Sequence, residues 1–246
     1  MAGNALTGLP HYTVRESRRA RCVRLRFSVR GELEIVVPSG FDLARIPALL
    51  YDKRSWIERT AERLRRDGRM IPHADEPSPP STLTLRAISE TWDVAYRPGD
   101  ARGQSGVLLH EHPDRRLTLH TDPGDTARCQ AALRRWLLHK GKRHLLPWLM
   151  TVSEELDLPF HSARVRGPST RWGSCSWRKT ISLSYKLLFL PGHLVRHVLI
   201  HELCHTVHLD HSPRFWALVA RAEPDFAHRR SELRGAWRHV PSWLDT

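Results

Sequence analysis

Hydrophobic and polar positions alternate near the start of the chain. Val23, Leu25, Phe27 and Val29 alternate with Arg24, Arg26, Ser28 and Arg30. A period of two gives a strand one apolar face and one basic face. Gly31 permits a turn, and Leu33 to Val37 supplies a second strand that stops at Pro38, so a hairpin with an arginine face is expected. A helix should follow from about Ile46 to Arg66, with Leu49, Leu50, Trp56, Ile57 and Leu64 as its apolar set and Asp67-Gly68 as its stop. Pro72 to Pro80, rich in Pro, Ser and acidic residues, reads as a linker. Short strands then recur at Leu83 to Ala87, Thr91 to Tyr96, Val107 to His110 and Leu117 to His120.

The period becomes helical from Thr126. Cys129, Leu133, Trp136, Leu137, Leu145, Trp148 and Leu149 lie on one stripe of a long helix that ends before Pro159. Arg164 to Arg166 reads as a strand, and Arg171 to Ser176 as a loop. Ile181, Leu183, Tyr185 and Leu187 form one face of another strand, and Pro191 opens a helix as a favoured first residue. The pattern is that of an α+β chain, with a β-rich, basic region over 1–125 and a second, helix-rich domain over 126–246.

The helix after Pro191 is apolar nearly all round, with Leu194, Val195, Val198, Leu199, Ile200, Leu203 and Val207. Such a helix is buried. It nevertheless carries His201, Glu202 and His205, whose burial without partners costs several kcal/mol. A divalent cation resolves the conflict. Residues four apart are neighbours on one helix face, so both imidazoles reach one ion. Glu202 projects beside them, placed to take a proton from water without binding the metal. The alternative is two core histidines with a salt-bridged Glu202.

His208 lies one turn too far along the same helix to serve as third ligand. His211 precedes Ser212-Pro213, a helix cap followed by a favoured first helical residue, so the chain must turn at about Leu209 to His211. A turn brings His211 back over the metal, and it is the expected third ligand. The spacing matches HExxHxxGxxH of the metzincins, but His208 replaces the glycine, and Met1, Met70 and Met150 all lie upstream, so no Met-turn can follow. A gluzincin arrangement would use Glu223 or Glu232 and leave His211 without a role.

A net charge of +13, carried mostly by arginine, suits polyanions, so weak, non-specific nucleic-acid binding is a further expectation. Cys22, Cys129, Cys175 and Cys204 are far apart with no CxxC pair, unlike a disulfide framework. Residues 1–10 show neither a charged n-region nor a long apolar run, and no membrane-spanning stretch is visible. The cytoplasm is the expected location.

Arg171-Trp172-Gly173-Ser174-Cys175-Ser176, Ile181-Ser182-Leu183, Leu190-Pro191, His201-Glu202-Leu203-Cys204-His205, His211-Ser212, Phe215-Trp216 and Pro224-Asp225-Phe226 occur in the order seen in YgjP-like metallopeptidases. Val36-Val37-Pro38 and Trp56-Ile57 resemble the N-terminal region of that family. The chain is similar, more distantly, to SprT-like proteases. The resemblance implies a zincin-like metallopeptidase domain, with Zn2+ on His201, His205 and His211 and Glu202 as base, acting on a peptide or protein. Asp210 and Arg196-His197 depart from the residues common in the family.

Three roles remain open in this reading. Tyr185, His197 and Arg171 are candidates for an oxyanion donor. The tight loop with Gly173 can approach the metal, with Cys175 as a candidate redox-sensitive or inhibitory ligand, against a plain packing role for the loop with Trp172 in the core. The strand from Ile181 can pair with an extended peptide. A nucleotide phosphohydrolase and a nucleic-acid-associated module with structural zinc are the competing functions. Neither a P-loop nor a fourth ligand supports them.

Overall fold

The computed structural model describes residues 12–28, 31–66, 79–98 and 107–244. The chain forms two compact units, residues 1–72 and 73–246. In the first, β1 (Tyr12–Ser17), β2 (Arg24–Phe27) and β3 (Leu33–Pro38) make a sheet of order β1-β3-β2. β2 and β3 are the expected antiparallel hairpin, and β1 joins β3 in parallel. Leu33, Ile35 and Val37 point into a core shared with Ile46, Leu50 and Ile57. The opposite face is less basic than the sequence suggests. Glu34 lies between Arg15 and Arg26 and accepts a 2.6 Å hydrogen bond from each. The helix expected over Ile46–Arg66 is two helices, α1 (Ile46–Asp52) and α2 (Arg54–Arg66), separated at Lys53. Val29, Arg30, Asp67-Gly68 and most of the linker lie outside the described residues.

The second unit holds two sheets. β4 (Thr82–Leu85), β5 (Glu90–Arg97), β6 (Leu108–Glu111) and β7 (Arg116–His120) form a sheet of order β4-β5-β7-β6. It packs with α3 (Thr126–Leu156) through Lys140, which is 4% exposed. The Lys140 ammonium lies 4.1 Å from the Trp92 ring centroid and 3.4 and 3.0 Å from Glu90 and Glu111. Trp92 and Trp136 each donate a 2.8 Å hydrogen bond to one of these carboxylates. These bonds tie the strands before residue 125 to the helix after it. The contacts therefore divide the chain at residues 72/73, within the Pro/Ser-rich segment, and not near 125 where the change of period suggested a boundary.

The second sheet carries the site. β8 (Ser162–Arg166), β9 (Gly173–Cys175) and β10 (Thr180–Ser184) adopt the order β8-β10-β9, with β10 parallel to β8 and antiparallel to β9. The strand expected from Ile181 to Leu187 stops at Ser184. There the Ser184 hydroxyl accepts from Lys186 N at 3.2 Å and Tyr185–Phe189 coil into a 3-10 helix. Val165, Ile181 and Leu183 are buried beneath α3 and α4 (Gly192–Cys204). α5 (Pro213–Ala222) and α6 (Phe226–Arg234) pack against α4. The fold is α+β, and no helix of the described residues is long and apolar enough to cross a membrane.

Removing the Lys140 ammonium would leave two carboxylates facing each other in a mostly buried site. Lys140→Ala is expected to cost about 3 kcal/mol of unfolding free energy. Denaturant melts of the two proteins measure it, and a loss under about 1 kcal/mol would contradict the assigned role of this cluster.

Candidate metal centre

α4 ends at the site. Its residues from Leu194 to Ile200 are buried apart from Arg196, and His205 caps its C-terminus. Beyond it the chain turns at once: Thr206 N donates to Leu203 O at 2.9 Å, and His208 N to Cys204 O at 3.1 Å. The turn begins about four residues earlier than the sequence suggests. α5 starts at Pro213, preceded by Ser212, as Ser-Pro chemistry predicts. The turn thus carries His211 back over the end of α4.

The ligand atoms of His201, His205 and His211 all lie within 4.8 Å of one another. His201 Nε2 is 3.2 Å from His205 Nε2 and 3.1 Å from His211 Nε2. Two nitrogens bound tetrahedrally to one ion at about 2.0–2.1 Å would be ~3.3 Å apart, so the donor set fits a small divalent metal. Burial, followed by the neighbouring His205 and His211, pushes the His201 pKa down to about 3. Burial also lowers that of His205. Both rings are therefore held neutral, the form a metal requires.

The ring surroundings fix the ligands. His205 Nδ1 donates to the His208 carbonyl at 2.9 Å, which leaves Nε2 free to bind. His208 thus contributes its backbone and not its imidazole. Phe215 forms a floor: its ring centroid is 4.4 Å from that of His205, 4.9 Å from His211 and 5.0 Å from His201. Trp216 stacks on His211 at 5.7 Å, and Arg230 lies 4.3 Å from the Trp216 ring. One turn before His201, the buried His197 is held by Glu223. Glu232 bonds His193 at 2.9 Å. Both acids of the gluzincin alternative are therefore engaged elsewhere.

Glu202 is 5% exposed, and its Oε2 has no hydrogen-bond partner. Burial raises its pKa to about 8, against the lowering influence of Arg171. The carboxyl group rests on the backbone of β9. A Cβ at Gly173 would lie 2.6 Å from Glu202 Oε1 and 2.7 Å from its Cγ, so only glycine fits there. The segment expected as a loop is thus an edge strand packed against α4.

Trp172 O accepts from Ser184 N at 2.8 Å, and Ser176 N donates to Thr180 O at 3.0 Å. Alternation then turns the N–H and C=O groups of Gly173 and Cys175 away from β10. β10 itself, expected to pair with a peptide, lies between two strands, so its edges are taken.

The remaining candidates separate clearly. Trp172 stacks on Trp237 at 4.2 Å, a packing role. Cys175 does not belong to the metal cluster, and burial raises its thiol pKa to about 11. Tyr185 is buried beneath Gly167, and His197 faces Glu223. Of the three oxyanion candidates, Arg171 is the one whose charge acts on Glu202. The loop with Gly173 is expected from the sequence to approach the metal; what Gly173 meets is the Glu202 carboxyl group.

A double-mutant cycle measures the contact. Gly173→Ala alone should cost about 1–3 kcal/mol of stability by overpacking. In a Glu202→Ala background the same change should cost under about 0.5 kcal/mol. Equal costs in both backgrounds would mean that the carboxyl group and the strand do not meet.

Comparison with known proteins gives one family. No curated protein and no solved structure matches the chain. The family described as YgjP-like, metallopeptidase domain, matches residues 21–236, which spans both units and contains the triad, Glu202 and β9. The chain belongs to the YgjP-like metallopeptidase family.

Proposed function

We propose that the protein is a zinc-dependent peptidase of zincin-like architecture, with His201, His205 and His211 as metal ligands and Glu202 as general base. The observation that carries this reading is a division of labour on one helix. Three imidazole nitrogens converge, while the adjacent carboxylate stands apart with Oε2 unpartnered. Three ligands rather than four suit a catalytic site. Zinc held there would supply Lewis acidity toward water and toward the scissile carbonyl.

The chain's own residues do the rest. Glu202 accepts a proton from the attacking water and delivers it to the departing amine. Its burial favours the protonated form, which suits a group that must hold that proton between the two steps. Gly173 lets the carboxylate lie against the strand without an intervening side chain. The free N–H and C=O groups of Gly173 and Cys175 pair with an extended peptide and hold its backbone beside the base.

Three measurements bear on this. Elemental analysis of protein purified without added metal should find close to one zinc per chain, and metal-free protein that gains nothing from added zinc would overturn the assignment. Glu202→Gln should retain zinc and lose peptidase activity by at least ~100-fold, because the shape persists without the proton acceptor. His205→Ala should instead lose zinc and melt at a lower temperature, since bound metal stabilises the folded state. Loss of zinc from Glu202→Gln as severe as from His205→Ala would make Glu202 a ligand or a structural partner.

A further inference from the structure

A cleft of about 670 Å3 spans the β8-β10-β9 sheet, lined by α3, by residues of β8, β10 and β9, and by the segment from Gly167 to Arg171. Five arginines line it: Arg134 and Arg135 from α3, Arg164 and Arg166 from β8, and Arg171. No Asp or Glu does. Elsewhere in the protein, arginines meet carboxylates, as in Arg15 and Arg26 with Glu34, Arg54 with Glu58, and Arg196 with Glu155. The cleft differs. Arg135, Arg164, Arg166 and Arg171 form no salt bridge among the described residues. Arg164 bonds the Ser182 hydroxyl at 2.9 Å, and Arg135 the Val107 carbonyl at 3.4 Å, both neutral acceptors. So many guanidinium groups around one concavity repel one another and favour an anionic guest.

The cleft adjoins Glu202 through two of its residues. Gly173 is both its wall and the rest for Glu202. Arg171 is both its wall and a charge felt by Glu202. Arg164 and Arg166 on β8 lie two strand spacings from β9, about 10 Å, a span of about three extended residues.

We propose that the cleft receives the carboxylate side chains of an acidic peptide, making this a peptidase for substrates with Asp or Glu near the cleaved bond. This inference rests on the peptidase reading above. A peptide fits better than a nucleic acid for two reasons. The cleft adjoins Glu202 at Gly173, where the proposed peptidase chemistry calls for a peptide. The one aromatic side chain of the cleft, Tyr185, is buried, which leaves no platform for stacked bases. Guanidinium groups bind carboxylates in bidentate fashion, which adds geometric selectivity.

Binding can be measured without turnover on full-length, zinc-loaded Glu202→Gln protein. The probes are fluorescein-labelled 12-residue peptides with Glu at alternate positions, the same peptides with Gln instead, and an oligothymidylate of equal net charge. The Glu peptide should bind at least ~tenfold more tightly than the Gln peptide, with a steep loss in high salt. Arg164→Gln with Arg166→Gln, both exposed positions, should abolish most of that difference, and Arg135→Gln should reduce it. Equal affinity for Glu and Gln peptides overturns the proposal. Tighter binding of the oligothymidylate also overturns it, in favour of a nucleic-acid site. Hydrolysis by the wild-type protein separates the two readings. Binding as expected with no peptide cleaved counts against the peptidase, whereas cleavage that ignores Glu and Gln counts against the cleft alone.

Discussion

Much of the second unit follows from placing a carboxylate, two imidazoles and an apolar helix face in the same volume. α4 is buried because its surface is apolar, and burial makes every polar group on it expensive. His201 and His205 answer this by staying neutral, and ring nitrogens find partners in the His208 carbonyl for His205 and Glu223 for His197. Glu202 has no such answer for Oε2, and its pKa rises accordingly. A cation on the neighbouring imidazoles would lower that pKa again by simple attraction, so metal binding and the ionisation of Glu202 are coupled. The site is therefore built to be incomplete as protein alone.

That incompleteness sets the packing around it. Phe215 and Trp216 sit next to each other on α5, and their rings cover the histidines from one side. Trp216 is in turn stacked on Phe226 at 5.7 Å and covered by Arg230. α5 and α6 thus lock the imidazole rings in place through aromatic contacts and not through further polar ligands. On the other side the close approach of β9 requires a glycine, since any side chain would occupy the space of the Glu202 carboxyl group. Rigidity at the imidazoles and room at the Glu202 carboxyl group come from different residue types for that reason.

The parts of the site that the sequence revealed were those governed by local rules. Four-residue spacing placed His201 and His205 on one helix face, and Ser212-Pro213 located the start of α5, hence the return of His211. The family resemblance quoted residues from Arg171 to Phe226, and the family match covers them. What stayed hidden depends on distant partners. β9 has three residues, Gly-Ser-Cys, with no alternation, and it is a strand only because β10 pairs with it. β10 itself ends early because Ser184 caps the turn that follows, although Tyr185 and Leu187 continue the apolar alternation. The link between Lys140 and the carboxylates of β5 and β6 spans 50 residues in the case of Glu90, beyond any window over which periodicity is read. The boundary near 125 followed from a change of period, but a change of period marks a change of element and not of core.

The position of β9 gives the arrangement its direction. An edge strand beside a buried, unpartnered carboxylate is a liability unless something pairs with it, because its N–H and C=O groups are open to any extended chain. Here the edge is short, its side chains are small, and Gly173 and Ser174 also line the cleft that holds five arginines. Those charges discriminate among chains that could pair with β9: a basic segment is repelled before it reaches the strand, and an acidic one is drawn in. The same strand that exposes the backbone next to Glu202 is thus bounded by a filter for charge.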